Sequence, residues 1–254
     1  MYCYLYDAFI RDRRYESLIN RIEARISELG LQGKVERLTV LKNAKEIVED
    51  AIKKDVETFV IVGDDTSITK ILNYLAGKKI ILGIIPVGPQ QIISSMLGIP
   101  YGDGACDTLS KRIVKRLDLG RANSQHFLVS LDVPKSSANI DVDGTFSISA
   151  LNTEAHMSLT NFGPLPNGSS SAFANPEDGL IELVVSASRR KGVFTFGHDR
   201  SDRPSVFPVR RVQITCKDEC LSLVADGQGI IKTPALVEVM PAALGVIVGR
   251  NRKI

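Results

Sequence analysis

The chain has 254 residues, 44% of them hydrophobic and 24% charged, with a formal charge of +3. That length suffices for one large domain or two, and the composition is that of a globular protein and not of a disordered one. The small charge excess gives no reason to expect a nucleic-acid partner, and no run of about 18 apolar residues exists to form a transmembrane helix.

The N-terminus, MYCYLYDAFIRDRR, places its apolar residues before its basic ones, the reverse of a secretory signal, so a cytoplasmic location is expected. Of the four cysteines, only Cys216 and Cys220 are close in sequence, and two residues cannot close a tetrahedral zinc site. Reduced thiols are expected. His126, His156 and His198 are isolated, with no ligand spacing between them.

Tyr2 to Phe9 reads as a strand rich in aromatic and β-branched residues. Leu18, Ile22, Ile26 and Leu29 then trace one face of a helix that ends at Gly30. Val35 to Leu41 reads as a second strand. Asn43 and Glu46 form a capping-box-like pair for a helix whose buried side is Ile47, Val48, Ala51 and Ile52. Phe59 to Val62 is a short apolar run bounded by turn residues, the pattern of a buried parallel strand. A tight turn, Gly63-Asp64-Asp65-Thr66, follows it. Ile68, Ile71, Leu72 and Leu75 give the next helix, closed by Gly77. Ile80 to Ile85 repeats the buried-strand pattern up to Pro86, and Gly88 opens a second turn. Helices are expected over Gln90 to Leu97 and over Ala105 to Arg116. Strand–helix alternation of this kind predicts a doubly wound parallel sheet, with ligands bound where the turns follow the carboxyl ends of its strands.

The character changes from about Leu117. Short alternating segments follow at Gln125 to Val133, Asn139 to Val142, Thr145 to Ala150, Ala155 to Asn161, Leu180 to Ala187, Val209 to Cys216 and Leu221 to Ala225. Asp143-Gly144 is a hairpin signal, and Phe162 to Pro176 reads as a loop. These segments predict an all-β, sandwich-like second domain. The expected division is 1–118 for the α/β domain and 119–243 for the β domain. Residues 244–254 then form a terminal strand and basic tail that return to the first domain or remain apart.

Several of these stretches resemble motifs of the diacylglycerol kinase-like lipid kinases, a superfamily that includes sphingosine and NAD kinases. Gly63, Asp64 and Thr66 match Gly-Gly-Asp-Gly-Thr, with Val62 and Asp65 where glycines are expected. Pro86 and Gly88 match Pro-x-Gly-Thr-x-Asn-Asp, with Pro89, Gln91 and Ile92 at the polar positions. Leu97-Gly98-Ile99-Pro100, Leu117-Asp118-Leu119-Gly120 with Phe127, Pro176-Glu177-Asp178-Gly179-Leu180 and Asp226-Gly227-Gln228 follow in the family's order.

The resemblance implies an α/β nucleotide domain and a β-sandwich, with ATP, magnesium and a lipid hydroxyl as reactants. It assigns Gly63, Asp64, Thr66 and Gly88 to the nucleotide and Asp64, Asp118 and Asp178 to metal contacts. Asp226 becomes the general base that takes the proton from the lipid. From the residues alone, Asp64 is equally an N-cap, and Asp178-Gly179 and Asp226-Gly227 are equally ordinary turns. Asp65 is the costly departure. A carboxylate about 4 Å from a phosphate oxygen opposes binding by about 4 kcal/mol at an effective dielectric near 20. Either the nucleotide is excluded or Asp65 recruits a divalent cation. Gln228 removes a further acid.

Lys111, Arg112, Lys115 and Arg116 form the densest basic patch. It is either a solvated helix face or a surface for phosphate and lipid headgroups that allows peripheral membrane contact. A homodimer is compatible with the sequence. Two functions remain open: an ATP-dependent lipid kinase of bacterial type, and a catalytically impaired pseudokinase that binds a ligand or regulates.

Overall fold

The computed structural model describes residues 1–38, 43–134, 138–149, 156–166, 173–186, 204–216 and 220–253. Thr39 to Leu41, Ala150, Ala155, Ala187, residues 167–172 of the expected loop and His198 lie outside these. The chain divides into two compact units, Met1–Leu117 with Ala242–Ile254, and Asp118–Pro241.

The first unit is a parallel sheet with helices. Its strands are β1 (Tyr2–Tyr6), β2 (Gly33–Arg37), β3 (Thr58–Gly63) and β4 (Ile81–Pro86), joined by the last part of β18 (Ala235–Ile247). They lie in the order β2-β1-β3-β4-β18, and each neighbouring pair is parallel. Every residue of β3 is buried, as its continuous apolar run requires. The helices are α1 (Glu16–Glu28), α2 (Ala44–Lys53), α3 (Asp65–Leu75), α4 (Ile92–Met96) and α5 (Gly104–Lys111). Helix α1 packs on α5, and α2 packs on α3. The predicted faces are the buried ones: Ile47, Val48 and Ala51 in α2, and Ile68, Ile71, Leu72 and Leu75 in α3. Asn43 caps α2 by accepting from the Glu46 N–H at 3.0 Å.

Local differences from the sequence reading have identifiable causes. The first strand ends at Tyr6, and two 3-10 turns, Ala8–Arg11 and Arg13–Tyr15, lead into α1. The helix expected over Ala105 to Arg116 stops at Lys111, because Arg112 takes a left-handed conformation (φ 48°). The β-branched Ile113 and Val114 then open strand β5 (Val114–Ala122). Lys115 and Arg116 therefore lie on a strand, and the four basic residues do not share a helix face. Helix α4 is shorter than expected, because Gln90 and Gln91 belong to the preceding turn.

Among the described residues, the second unit is built from antiparallel ladders. One sheet runs β14 (Ser205–Val209), β13 (Ile181–Ser186), β10 (His156–Thr160), β7 (Ser130–Val133), β16 (Ser222–Ala225) and β17 (Gly229–Lys232). The other ladder joins β9 (Phe146–Ser149), β8 (Ala138–Val142), β15 (Arg211–Cys216) and the first part of β18. Leu131, Leu159, Leu183 and Leu223 from the first meet Ile140, Val212, Ile214 and Val237 from the second in one apolar core, a sandwich arrangement. The Asp143-Gly144 hairpin forms as expected, with positive φ at both residues. Strands β14 and β17 were not among the expected ones, nor was the short antiparallel pair β11 (Gly163–Pro164) and β12 (Phe173–Ala174), which lies within the expected loop.

Strand β5 pairs with β6 (Gln125–Phe127), placing Gly120 opposite Phe127. A Cβ at Gly120 would overlap the ring of Phe127, which is fully buried. The glycine and the downstream phenylalanine are thus one packing unit. Gly120→Ala should cost about 2 kcal/mol through overpacking, measurable as a lower denaturant midpoint with an unchanged slope.

Candidate functional site

The carboxyl edge of the parallel sheet carries the turns after β1, β3 and β4. Asp64 is the N-cap of α3, and its Oδ1 accepts from the Ser67 N–H at 3.2 Å. The Ser67 hydroxyl in turn accepts from the Asp64 N–H at 3.3 Å, completing a capping box. Gly63 is compelled here, because a Cβ would overlap Ser67 Oγ. Gly88 has φ +108°, and a Cβ there would lie 3.0 Å from the Phe9 ring and 3.3 Å from Asp64 Cβ. Gly63 therefore answers to close packing within its own turn, and Gly88 to close packing against the turns after β1 and β3.

The two turns bond mainly to each other. The Asp65 N–H donates to Gln90 O at 3.0 Å, and the Thr66 hydroxyl donates to Gln90 Oε1 at 3.0 Å. The Val87 N–H donates to Gly63 O at 2.8 Å. Asp65 reaches across to the second turn, where Oδ2 accepts from the Ile92 N–H at 2.7 Å and Oδ1 from the Ile93 N–H at 3.2 Å. Asp65 is the first residue of α3 and has no positive φ, so its backbone does not call for glycine. Gln91 bonds within its own turn, donating to Gly88 O at 3.0 Å.

A charged group that the sequence reading missed completes this edge. Asp7, just past β1, is buried at 6% exposure and accepts from Ser67 Oγ at 2.7 Å and Lys70 Nζ at 3.1 Å. Its position at a strand's carboxyl end was the available signal; its partners lie 60 and 63 residues away. Burial pushes the Asp7 carboxyl up, but the Ser67 hydroxyl, the Lys70 ammonium and the Phe9 N–H outweigh it and hold it below its ordinary range. The resulting stability is present above the unfolded value of about 3.9 and is lost as pH falls through the lower folded value. Asp7→Asn should therefore cost about 1–3 kcal/mol at pH 7, and the gap to the wild type should close below about pH 4. Thermal melts of both proteins between pH 7 and 3 check this.

Beside Asp7, a cavity of about 320 Å³ is lined by Tyr6, Asp7, Ile10, Arg13, Asn20 and Arg37, among others. The Arg37 guanidinium lies 5.8 Å from the centre of the Tyr6 ring. Arg11, Arg13 and Arg37 are balanced there by Asp7, Asp12 and Glu16, so the apolar wall and the aromatic ring suit a flat, polar-edged ligand and the lining carries no excess charge for attached anionic groups.

In the second unit, Asp118 is 3% exposed, and its Oδ2 accepts from the Gly179 N–H at 2.7 Å. Its own N–H donates to Pro176 O at 2.6 Å. Asp178 accepts from the Leu180 N–H at 3.0 Å, closing its turn. Asp226 accepts from the N–H groups of Leu128 at 2.8 Å, Val129 at 2.8 Å and Ser130 at 3.0 Å. Those bonds interrupt the strand expected over Gln125 to Val133, leaving β6 and β7 separate. Burial raises the Asp226 carboxyl against the lowering effect of the three N–H groups. Asn161 ties the two aspartate turns together, donating to Asp118 O at 3.0 Å and Leu128 O at 2.8 Å.

Of the basic residues, Arg112 turns back onto the first unit and donates to Thr58 Oγ1 at 2.8 Å. Among the described residues, no three His, Cys, Asp or Glu side chains converge as a metal-ligand set. Nor is any helix among them long and apolar enough to cross a membrane. The cysteines Cys3, Cys106, Cys216 and Cys220 are free thiols.

The first unit is of the diacylglycerol kinase catalytic type: residues 11–122 match the family model described as "Diacylglycerol kinase catalytic domain". A diacylglycerol kinase of Bacillus subtilis (strain 168) is 25% identical over 118 residues, covering 45% of this chain and 39% of that protein. The chain thus aligns with well under half of that relative's length. A diacylglycerol kinase of Mycobacterium tuberculosis (strain ATCC 25618 / H37Rv) is 22% identical, with 82% of each chain covered. The crystal structure of a diacylglycerol kinase from Bacillus anthracis str. Sterne superimposes with a TM-score of 0.77 at 18% identity, covering 98% of this chain and 97% of that one. The fold is that of these kinases, and the match over residues 11–122 supports a diacylglycerol kinase-like lipid kinase family.

Proposed function

We propose that this protein is a diacylglycerol kinase-like module that binds a nucleotide through its nucleoside part and has lost efficient phosphoryl transfer. The observation that carries the reading is Asp65, whose carboxylate takes the Ile92 and Ile93 N–H groups and bolts the two turns together. A phosphate approaching these turns meets a carboxylate where it needs donors. The donors at Asp65 N and Thr66 Oγ1 are also engaged, by Gln90.

Magnesium and the ATP triphosphate, which the family holds together, fit the residues of these turns poorly. One Asp64 oxygen serves as a helix cap, and Asp65 is spent on main-chain N–H groups. Asp118 and Asp178 hold turns of the second unit. What supports nucleoside binding is the cavity beside Asp7 and Arg37, where the Tyr6 ring, the apolar Ile10 and Ile19 and the polar Asn20 offer stacking and hydrogen-bonding groups suited to a base and ribose.

The competing reading is ATP-dependent phosphorylation of a lipid hydroxyl, with Asp226 as general base. Its support is the upward pull of burial on the Asp226 carboxyl, the direction a base needs. The three N–H bonds weigh against it, because they leave that carboxylate little capacity to accept a further proton donor.

Calorimetry with ATP and adenosine, each with and without magnesium, separates the readings. The module should bind both, with affinity that magnesium does not improve, and should transfer no labelled γ-phosphate to diacylglycerol in mixed micelles. Magnesium-dependent ATP binding together with transfer overturns the proposal and restores the kinase. Absence of any nucleotide binding by the folded protein removes the ligand half of it.

A further inference from the structure

The opposite edge of the parallel sheet, at the amino ends of β3 and β4, holds a second and larger cavity of about 600 Å³. Three helix-to-strand connections meet there: Asp55–Glu57 after α2, Lys78–Ile80 after α3, and Arg112 after α5. Ligand sites of open α/β sheets favour the other edge, so neither the family turns nor the proposed nucleotide pocket accounts for this cavity. Its volume is within the range of about 300–1,000 Å³ typical of small-molecule sites.

The lining has two parts. Val56, Ile80 and Ile81, with Ile52, give an apolar wall. Lys78, Lys79 and Arg112 face Asp55 and Glu57, three cations against two carboxylates, a balance of +1. The charges are not equally committed. Arg112 is held by Thr58 Oγ1 at 2.8 Å and by Glu57 at 3.6 Å, and Glu57 also lies 3.7 Å from the N-terminal amine. The side chains of Lys78 and Lys79 have no ion-pair or hydrogen-bond partner among the described residues. Lys53 and Lys111 nearby in sequence are explained by the helix C-termini they occupy. Lys78 and Lys79 lie beyond the end of α3, past Ala76 and Gly77, and have no such explanation.

We propose that this cavity is a binding site for a monoanionic phosphodiester carrying an apolar chain. Its phosphate lies between Lys78 and Lys79, and its chain lies along Val56, Ile80 and Ile81. A single negative charge matches the +1 balance of the lining, whereas a dianionic monoester leaves an excess charge facing Asp55. Such a ligand comes either from a phospholipid in a bilayer or from a free single-molecule amphiphile.

The test titrates the intact protein with dihexanoyl phosphatidylglycerol kept below its micelle-forming concentration. Saturable binding is expected. Dihexanoylglycerol, which lacks the phosphate, and glycerophosphoglycerol, which lacks the chains, should each bind at least about tenfold more weakly. Lys78→Gln/Lys79→Gln should lose at least about tenfold in affinity with an unchanged melting temperature, since both side chains are exposed and have no partner among the described residues. Asp55→Asn should gain affinity, because it removes the carboxylate that opposes the phosphate. Sedimentation with phosphatidylglycerol vesicles then identifies the source: a bilayer if the wild type co-sediments and the lysine variant does not, a free amphiphile if neither does. No saturable binding by the folded wild type, or equal affinity in the lysine variant, overturns the proposal. None of these readouts involves ATP, so failure of the nucleotide reading and failure of this one are separable.

Discussion

Asp65→Gly should raise ATP affinity by at least about tenfold, a gain of about 1.4 kcal/mol, while lowering the protein's stability. The two effects have one cause. The Asp65 oxygens now accept from the Ile92 and Ile93 N–H groups at 2.7 and 3.2 Å. Removing the carboxylate frees those donors and abolishes a repulsion worth up to about 4 kcal/mol at phosphate distance. It also strips α4 of its cap and puts glycine in the first turn of α3, at a combined cost of about 2 kcal/mol. In a chain of this size that corresponds to a melting temperature lower by roughly 4–8 °C. Calorimetry and thermal melts on the same preparation measure both. A destabilised variant with unchanged ATP affinity would show that Asp65 is a fastener only, and the electrostatic account of the lost phosphate site would fall.

Gly249→Ala should be the most damaging single methyl in the first unit. Gly249 is buried, its N–H donates to Leu97 O at 2.9 Å, and a Cβ would overlap the carbonyl oxygen of Gly98. Gly98 is equally tight, with φ +67° and Arg252 N only 2.6 Å from where its own Cβ would stand. Two backbones cross here without room for a side chain on either. Val248 N–H to Ile113 O at 2.8 Å and Lys253 N–H to Met96 O at 2.8 Å fix the segment on both sides of the crossing. Because the obstructing atoms are main chain, no rotamer change relieves the overlap, and the terminal segment must lift away. The loss should reach about 4 kcal/mol, beyond the usual range for overpacking. Hydrogen exchange should show the Val248, Gly249 and Lys253 amides losing protection first. Wild-type protection at these three amides would contradict the crossing.

The motif Leu97-Gly98-Ile99-Pro100 thus has a structural meaning that its letters did not disclose. The same holds for Gly120 and Phe127, whose spacing in the sequence becomes a ring lying on a glycine. At the nucleotide edge, Asp64 turned out to be the cap that its residue type allows, and Asp226 an acceptor for three main-chain donors. Asp7 and Lys70 escaped notice because an ion pair between residues 63 positions apart leaves no periodic trace. The basic patch dissolved because one residue, Arg112, adopts a left-handed conformation that its type rarely takes.

The alternation of strands and helices, the buried faces of α2 and α3, the hairpin at Asp143-Gly144 and the change to β structure near Leu117 are legible in the residues alone. Each follows from local periodicity or turn chemistry, which neighbouring residues settle among themselves. Where the Asp65 carboxylate points, which donors Asp226 occupies and the parallel pairing of Gly245 with Ile81 come from the folded chain. These depend on main-chain groups brought close by folding, and any carboxylate or glycine in the sequence reads the same whether or not such a group awaits it.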